Sequence, residues 1–181
     1  MKSEIRKQAK AGERKSYSSK TMESPVGTLT LVASDKGLVA VLWEKDNPGR
    51  VRLGPLTPDD EHPVLLKAQR QLTDYFAGKI RKFSLELDFQ GTEFQKKVWA
   101  SLLEIPFGET RSYADIAQKI GKPKAVRAVG AANGKNPISI IAPCHRVIGS
   151  NGKLTGFAGG LDAKALLLGL ESKGRELELG K

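Results

Sequence analysis

The pattern of apolar residues differs between the two halves of this chain, and this difference restricts the folds that it can adopt. In the first half, residues 28–33 and 38–43 form β-branched runs joined by a turn signal, which predicts a hairpin. Residues 46–60, which contain three prolines and two glycines, are predicted as a loop, and His62 as a solvated loop residue. Residues 63–77 have helical spacing, and residues 83–87 alternate as in a strand. Nothing in this half indicates a chemical role. The second half has helical spacing almost throughout. The prediction is an α/β (α+β) protein: a small N-terminal antiparallel sheet with a helix, then a mostly helical C-terminal domain.

Three short helices are predicted early in the second half. Thr92 can cap a helix over residues 93–104, and Ser112 a helix over residues 113–120. The third covers residues 124–133. Short helices joined by a glycine-containing turn indicate a winged helix-turn-helix-like domain. The predicted boundaries are a basic flexible tail at 1–20, a sheet and helix domain at 21–90, and a DNA-binding domain at 91–181 that carries the cysteine.

The third helix is built mainly from alanine and glycine, with Arg127 as its one long side chain in the run 125–134. Gly130 and Gly134 in or near it lower its intrinsic stability by about 1 kcal/mol each relative to alanine. Such a surface permits close approach of a bulky partner, and it equally permits tight helix packing. The basic residues around this helix favour a bulky partner over tight helix packing.

The formal net charge of +10 is unevenly distributed. Residues 1–20 hold seven Lys or Arg against two Glu, and residues 106–153 hold eight against two acidic residues. A basic block of this kind indicates a polyanionic partner, with nucleic acid as the first candidate. A basic face that serves only solubility is the alternative.

The only cysteine, Cys144, lies in an apolar segment between Pro143 and the pair His145 and Arg146. A neighbouring imidazole and guanidinium are expected to lower the pKa of a thiol, whereas a free cysteine can also be a small buried apolar residue. Residues 138–142 are predicted as a short buried strand or extended segment that leads to the thiol. One cysteine excludes an internal disulfide, and with two histidines it excludes a Cys/His zinc site. We expect no metal and no cofactor.

The last predicted helix covers residues 161–172. Its expected inward face is Leu161, Ala165, Leu166, Leu168 and Leu170. Glu171 is placed near the C-terminal end, where a carboxylate is disfavoured, so it is expected either to face solvent or to have a partner, for which His145 is one candidate. Hydrophobic residues make up 39% of the chain, and no apolar run is long enough to span a bilayer. The N-terminus lacks the apolar region of a secretory signal. The expected location is the cytoplasm, the nucleoid, or the nucleus in a eukaryote.

Several motifs together resemble the O6-alkylguanine-DNA alkyltransferases over residues 92–172. They are Arg127-Ala128-Val129-Gly130, Asn136-Pro137, Pro143-Cys144-His145-Arg146-Val147-Ile148, and Gly159-Gly160-Leu161 followed by Glu171. The resemblance implies that Cys144 accepts the alkyl group and that His145 acts as its base through a water. It also implies that Glu171 orients His145, that Asn136 shapes the turn, and that Tyr113 turns the target phosphate and protonates the leaving guanine.

The resemblance further implies a DNA surface and a base pocket. Arg127 would fill the gap left by a flipped nucleotide, and the third helix would lie in the minor groove. The implied DNA-binding residues are Lys124, Arg127, Ala128, Gly130, Ala131, Lys135 and Arg146. The implied pocket residues are Pro143, Val147, Phe157 and Ala158. Phe157 departs from the tyrosine that is frequent in the family, and the zinc ligands of some members are absent.

The function implied is direct-reversal DNA repair, in which O6-alkylguanine is flipped from duplex DNA and its alkyl group is transferred irreversibly to Cys144, once per molecule. O4-alkylthymine is a second candidate lesion, and the free protein is expected to be monomeric with no membrane partner. One alternative is a lesion-sensing DNA-binding protein without chemistry, although such relatives lack the acceptor cysteine. A helix-turn-helix regulator is disfavoured because the third helix offers few base contacts. A cysteine hydrolase is disfavoured because its histidine usually lies far away in sequence.

Overall fold

The computed structural model describes residues 16–179, with side chains described as far as residue 176. The strands are β1 (Tyr17–Met22), β2 (Leu29–Ala33), β3 (Leu38–Trp43), β4 (Leu56–Pro58), β5 (Arg111–Ser112) and β6 (Val147–Ile148). The helices are α1 (Pro63–Phe76), α2 (Glu93–Leu102), α3 (Tyr113–Lys119), α4 (Val126–Gly134) and α5 (Leu161–Leu179), with a 3-10 turn at Cys144–Arg146. The mixed α/β architecture agrees with the fold class that the sequence predicts.

The N-terminal sheet has the strand order β3-β2-β1-β4, in which β4 alone pairs in the parallel direction. Strand β1 begins at Tyr17, so the prediction of a flexible tail over residues 1–20 is wrong for its last four residues. Strand β1 is not predicted because its sequence is mostly polar. The buried positions include Ser19 as well as Tyr17, while Ser18 and Lys20 are only partly covered. The first 15 residues of the predicted tail lie outside the described part of the chain.

Three further local predictions are corrected in this unit. Strand β4 lies within residues 46–60, which the sequence predicts as a loop. The predicted strand at residues 83–87 contributes one isolated bridge, between Leu87 and Leu38. His62, expected to be a solvated loop residue, caps α1 by accepting a hydrogen bond from the backbone N–H of Val64.

The C-terminal unit contains the predicted helix-turn-helix. Capping boxes at Thr92 and Ser112 start α2 and α3 at the predicted residues. Helix α4 begins at Val126 rather than at residue 124, and it has no side-chain cap. The indole N–H of Trp99 donates to the carbonyl oxygen of Ala132 at 2.8 Å, which fixes α2 against α4. Strands β5 and β6 form a parallel pair beside these helices.

The segment before the cysteine joins the two units. Ile138, Ile140 and Ile141 are buried in the same apolar cluster as the sheet and α1. The predicted strand at residues 138–142 is wrong, because only Ile138 forms a bridge, with Val41, and a turn follows. Ile140 has φ +74°, a left-handed conformation that costs a β-branched residue about 1–3 kcal/mol. Burial and turn geometry thus override the β propensity of this run.

Helix α5 continues to Leu179, so Glu171 lies in its middle and not near its end. The predicted inward face is wrong for Leu161, which is 49% exposed, for Leu166, which is 38% exposed, and for the exposed Ala165. It is right for Leu170, which packs against the core, and Leu168 is half-buried. The buried residues of α5 are Ala163, Lys164, Leu167 and Glu171. This face was missed because it contains two ionisable side chains. Within residues 16–179, no helix has the length and apolar character required to cross a membrane.

Candidate active site

Cys144 is the first residue of the 3-10 turn, and Pro143 precedes it outside the turn. Its side chain is only 4% exposed. The backbone N–H of Cys144 donates to the carbonyl oxygen of Ala142 at 2.8 Å, so the chain reverses tightly before the thiol. The thiol therefore lies at a fixed position in the apolar cluster that includes Val147 and Val129.

Burial raises the pKa of the Cys144 thiol above its ordinary value. A hydrogen bond from Asn136 and the positive charges of Arg50 and Lys164 oppose that rise without cancelling it. The expectation that His145 and Arg146 lower the pKa of this thiol is wrong. Because the resting thiol is protonated at neutral pH, a reaction at sulfur requires a base.

Asn136 is held at both ends of its side-chain amide. Its Nδ2 donates to the carbonyl oxygen of Ala142 at 2.8 Å, and its Oδ1 accepts from the backbone N–H of Ile138 at 3.1 Å. These bonds fix the amide orientation beside Cys144. The predicted residue Asn136 therefore lies in the turn that carries the thiol.

His145 and Glu171 form a buried pair, with 2.7 Å between Nε2 and Oε2. Burial works against ionisation of Glu171, but hydrogen bonds and charges of His145 and Arg146 lower its pKa to about 2. Burial also lowers the pKa of His145, although Glu171 opposes this. A neutral imidazole beside a carboxylate must donate from Nε2, which leaves Nδ1 as an acceptor. Among the described residues, no protein group hydrogen bonds to Nδ1.

Glu171 is the centre of a larger buried network. Its Oε2 accepts from the Tyr75 hydroxyl at 2.5 Å, and its Oε1 accepts from Nε of Arg146 at 2.7 Å. Arg146 also donates from Nη1 to the carbonyl oxygen of Ile105 at 2.6 Å and is 6% exposed. The prediction that Arg146 binds DNA is wrong, because its guanidinium is already engaged inside the protein. Burial and the neighbouring Glu171 raise the pKa of Tyr75 far above its usual range.

Lys164 is a functional candidate that the sequence reading missed. It is fully buried in α5, and its Nζ donates to the carbonyl oxygen of Val147 at 2.7 Å. Burial lowers the pKa of Lys164, while Cys144 raises it. Because lysine is rarely buried, the sequence pattern assigns Lys164 to the solvent-exposed face of its helix. Its positive charge, like that of Arg50, favours the thiolate form of Cys144.

Tyr113 begins α3, and its hydroxyl lies 2.5 Å from Oγ1 of Thr155. Its ring lies over Gly130, where an added Cβ would be 3.8 Å from the ring. Tyr113 is therefore beside the small residues of α4. The exposed DNA-binding candidates on or beside this helix are Lys124, Arg127, Ala128, Ala131 and Lys135, and Gly130 is half-buried.

Of the predicted pocket residues, Val147 and Phe157 pack in the apolar cluster that contains Cys144, whereas Pro143 lines a separate cavity with Phe107 and Arg146. Pro143 and Val147 are buried, and Phe157 and Ala158 are half-buried. Phe157 packs edge-on against Trp43 of β3, with 5.3 Å between the ring centroids. Trp43 also leaves no room for a side chain at Gly159, since an added Cβ would lie 2.7 Å from its ring. The sequence indicates no chemical role for the N-terminal half. The contacts of Trp43 with Phe157 and Gly159 depend on tertiary packing.

Across the part of the chain that the structure describes, no three His, Cys, Asp or Glu side chains are grouped to hold an ion. The site is a set of protein side chains: a buried thiol, an oriented amide, and an imidazole paired with a carboxylate. Such a set can deprotonate sulfur and position it for nucleophilic displacement.

Two models of the 6-O-methylguanine DNA methyltransferase family match the chain. The ribonuclease-like domain matches residues 18–89, and the DNA binding domain matches residues 93–173. The methylated-DNA–protein-cysteine methyltransferase of Methanosarcina acetivorans is 52% identical over 82% of this chain and 94% of its own length. That of Mycolicibacterium paratuberculosis is 50% identical over 85% of this chain and 92% of its own length.

Solved structures give the same result. A crystal structure of Mycobacterium tuberculosis OGT in complex with DNA has a TM-score of 0.78 and 48% identity, covering 88% of this chain and 94% of that chain. Both domains, their order and their fold therefore match. The chain belongs to the family of methylated-DNA–protein-cysteine methyltransferases.

Proposed function

We propose that this protein repairs DNA directly, by transferring the alkyl group of O6-alkylguanine in duplex DNA to Sγ of Cys144. The observation that carries the proposal is the arrangement of His145 and Glu171 next to the buried thiol. Glu171 fixes the imidazole with Nε2 protonated at 2.7 Å, which leaves Nδ1 as the basic atom. The names of the relatives support the same activity.

The proposed reaction is a single displacement at the alkyl carbon. The thiol proton passes to Nδ1 of His145 through a water, and the thiolate attacks the carbon bonded to O6. The S–C bond forms as the C–O bond breaks, and the electron pair of the C–O bond goes to the guanine. Tyr113 donates a proton to the departing base, which leaves as neutral guanine. The thioether has no route back to a thiol, so each molecule acts once.

DNA recognition is proposed to use α4 in the minor groove. The exposed alanines of α4 allow its backbone to approach the duplex, and Arg127 extends from its first turn. The methyl carbon of O6-methylguanine cannot reach a 4% exposed thiol from within the base stack, so the nucleotide must be flipped out. Arg127 then occupies the space that the base leaves. O4-alkylthymine presents a similar alkyl ether and is proposed as a second candidate lesion.

The stoichiometry tests this proposal. The protein is incubated with an excess of duplex DNA containing O6-methylguanine, and repaired lesions are counted over time. We expect a plateau at one repaired lesion per protein molecule, and none with Cys144→Ala. Continued turnover would contradict the acceptor role of Cys144, and binding without any repair would favour the lesion-sensing alternative.

A further inference from the structure

Asp46 and Arg50, in the loop after β3, form a largely buried ion pair. Nε of Arg50 donates to Oδ1 of Asp46 at 2.7 Å, and Nη2 donates to Oδ2 at 2.5 Å. The Arg50 side chain is 7% exposed, and the Asp46 side chain is 13% exposed. A bidentate pair of this kind fixes the plane of the guanidinium, but its desolvation offsets much of its contribution to stability. Its geometry therefore points to a positioning task.

The remaining donor of Arg50 reaches the other unit of the protein. Nη1 donates to the carbonyl oxygen of Asn136 at 2.5 Å. Two neighbouring contacts act on the same turn: the backbone N–H of Val41 donates to the carbonyl of Pro137 at 2.9 Å, and Nε1 of Trp43 donates to Oγ of Ser139 at 3.1 Å. Three residues of the turn that leads to the cysteine are thus held by the N-terminal unit.

Asn136 connects this clamp to the thiol. Its carbonyl oxygen is bound by Arg50, while its side-chain amide is bound to Ala142 and Ile138, and the amide favours the ionised form of the Cys144 thiol. A rotation of the Asn136 backbone would therefore turn the amide away from sulfur. The guanidinium charge of Arg50 also lies close enough to Cys144 to favour its ionised form.

We propose that Arg50, held by Asp46, is a positioning residue for alkyl transfer, which fixes the Asn136 carbonyl so that the Asn136 amide stays aimed at Sγ of Cys144. This inference rests on the proposed function of Cys144 as acceptor. It assigns to the N-terminal unit a direct task in the chemistry. The positive charge of Arg50 adds a second effect, because it stabilises the thiolate that attacks the alkyl carbon.

Two substitutions separate these effects. Arg50→Met removes the charge and the hydrogen bonds with little change in length, while Arg50→Lys keeps the charge but cannot bind Asp46 and Asn136 in the same fork. Arg52→Met is the matched control, because Arg52 is an exposed arginine of the same loop. Each variant is first checked by thermal unfolding. Asp46→Asn, which loosens Arg50 without removing it, serves as a second probe if Arg50→Met does not fold.

The first measurement is the rate of Cys144 alkylation by iodoacetamide as a function of pH, which needs neither DNA nor repair activity. We expect the midpoint of the pH dependence of alkylation to lie at higher pH for Arg50→Met than for the unaltered protein. For Arg50→Lys and Arg52→Met, this midpoint should stay near that of the unaltered protein. The second is the single-turnover rate with free O6-benzylguanine, which removes any effect on DNA binding. We expect Arg50→Met to transfer the benzyl group about 10-fold to 100-fold more slowly. Transfer should remain slow at pH values above the alkylation midpoint, where the thiol is ionised.

The outcomes distinguish the inference from the function on which it rests. A folded Arg50→Met variant with an unchanged alkylation midpoint and an unchanged benzyl-transfer rate would overturn the role of Arg50. If the unaltered protein does not transfer the benzyl group to Cys144, the proposed function fails, and the iodoacetamide titration still reports whether Arg50 acts on the thiol. Equal defects in Arg50→Met and Arg52→Met would also overturn the inference, since they would reflect the general charge of the loop.

Discussion

His145 and Glu171 are joined by a hydrogen bond of 2.7 Å between Nε2 and Oε2, and both side chains are buried. Because Arg146 and Tyr75 also donate to Glu171, the carboxylate stays ionised and its position is fixed from three sides. The carboxylate therefore determines which nitrogen of His145 carries the proton. This relationship gives the adjacent histidine a defined basic atom, which sequence adjacency to Cys144 alone does not provide.

Replacement of Glu171 by Gln is expected to destabilise the protein and to slow alkyl transfer. A glutamine cannot accept from His145, Tyr75 and Arg146 together, and it leaves the buried Arg146 charge without its partner. Breaking a buried ion pair in this way costs about 3–5 kcal/mol. Urea denaturation measures the loss, with Glu176→Gln, an exposed change on the same helix, as control. Equal stability of the two variants would show that the network contributes nothing.

The same carboxylate predicts how stability depends on acid. The pKa of Glu171 is lowered to about 2 in the folded protein, below its ordinary value of 4.5. The stability that it contributes is therefore fully present above about pH 4.5 and is lost as the pH falls towards 2. His145 acts in the same direction at milder pH, since its pKa is lowered from 6.5. Urea midpoints measured from pH 7 to pH 3 should decline, and the decline below pH 5 should be smaller in Glu171→Gln, because His145 and Asp115 still titrate with lowered pKa values.

Arg127→Ala is expected to weaken repair of duplex DNA much more than reaction with a free base. Arg127 is exposed on α4, so its removal opens no cavity in the core around the thiol. Transfer rates from O6-methylguanine duplex and from free O6-benzylguanine provide the comparison, with Arg70→Ala on the exposed face of α1 as control. Losses of the same size on both substrates would remove the flipping role of Arg127.

Lys164→Met is expected to leave the Val147 carbonyl without its donor and to remove a charge that favours the thiolate. The unsatisfied carbonyl costs about 1–3 kcal/mol. The alkylation midpoint of Cys144 should move to higher pH, because the charge of Lys164 lowers the pKa of this thiol. Lys173→Met changes an exposed lysine of the same helix and should have neither effect. An unchanged midpoint in Lys164→Met would show that this charge does not act on Cys144.

Features that depend on local sequence were predictable. The capped starts of α2 and α3 follow from Thr92 and Ser112, because capping is decided within one helical turn. The hairpin strands β2 and β3 follow from their β-branched composition and the turn between them. The motifs between Arg127 and Glu171 were together sufficient to identify the family. Each single motif lies within a short stretch of chain.

Features that depend on contacts between distant residues were not predictable. The buried role of Arg146 depends on Glu171, 25 residues later, and that of Arg50 depends on Asn136, 86 residues later. Arg146 was predicted to lie on the surface, and Arg50 was not singled out, because arginine is usually exposed. Strand β1 was missed because its buried Ser19 is polar, and the α5 face was missed because it includes Lys164 and Glu171.

The measurement that tests the central claim most directly is the mass of the peptide containing Cys144 after incubation with duplex DNA carrying O6-methylguanine. We expect that peptide to gain one methyl group in place of the thiol hydrogen, with fragmentation placing the gain on Cys144. His62, Tyr113 and all other residues should remain unmodified. An unmodified Cys144 peptide from protein that has removed the methyl group, or equal repair by Cys144→Ala, would contradict the account.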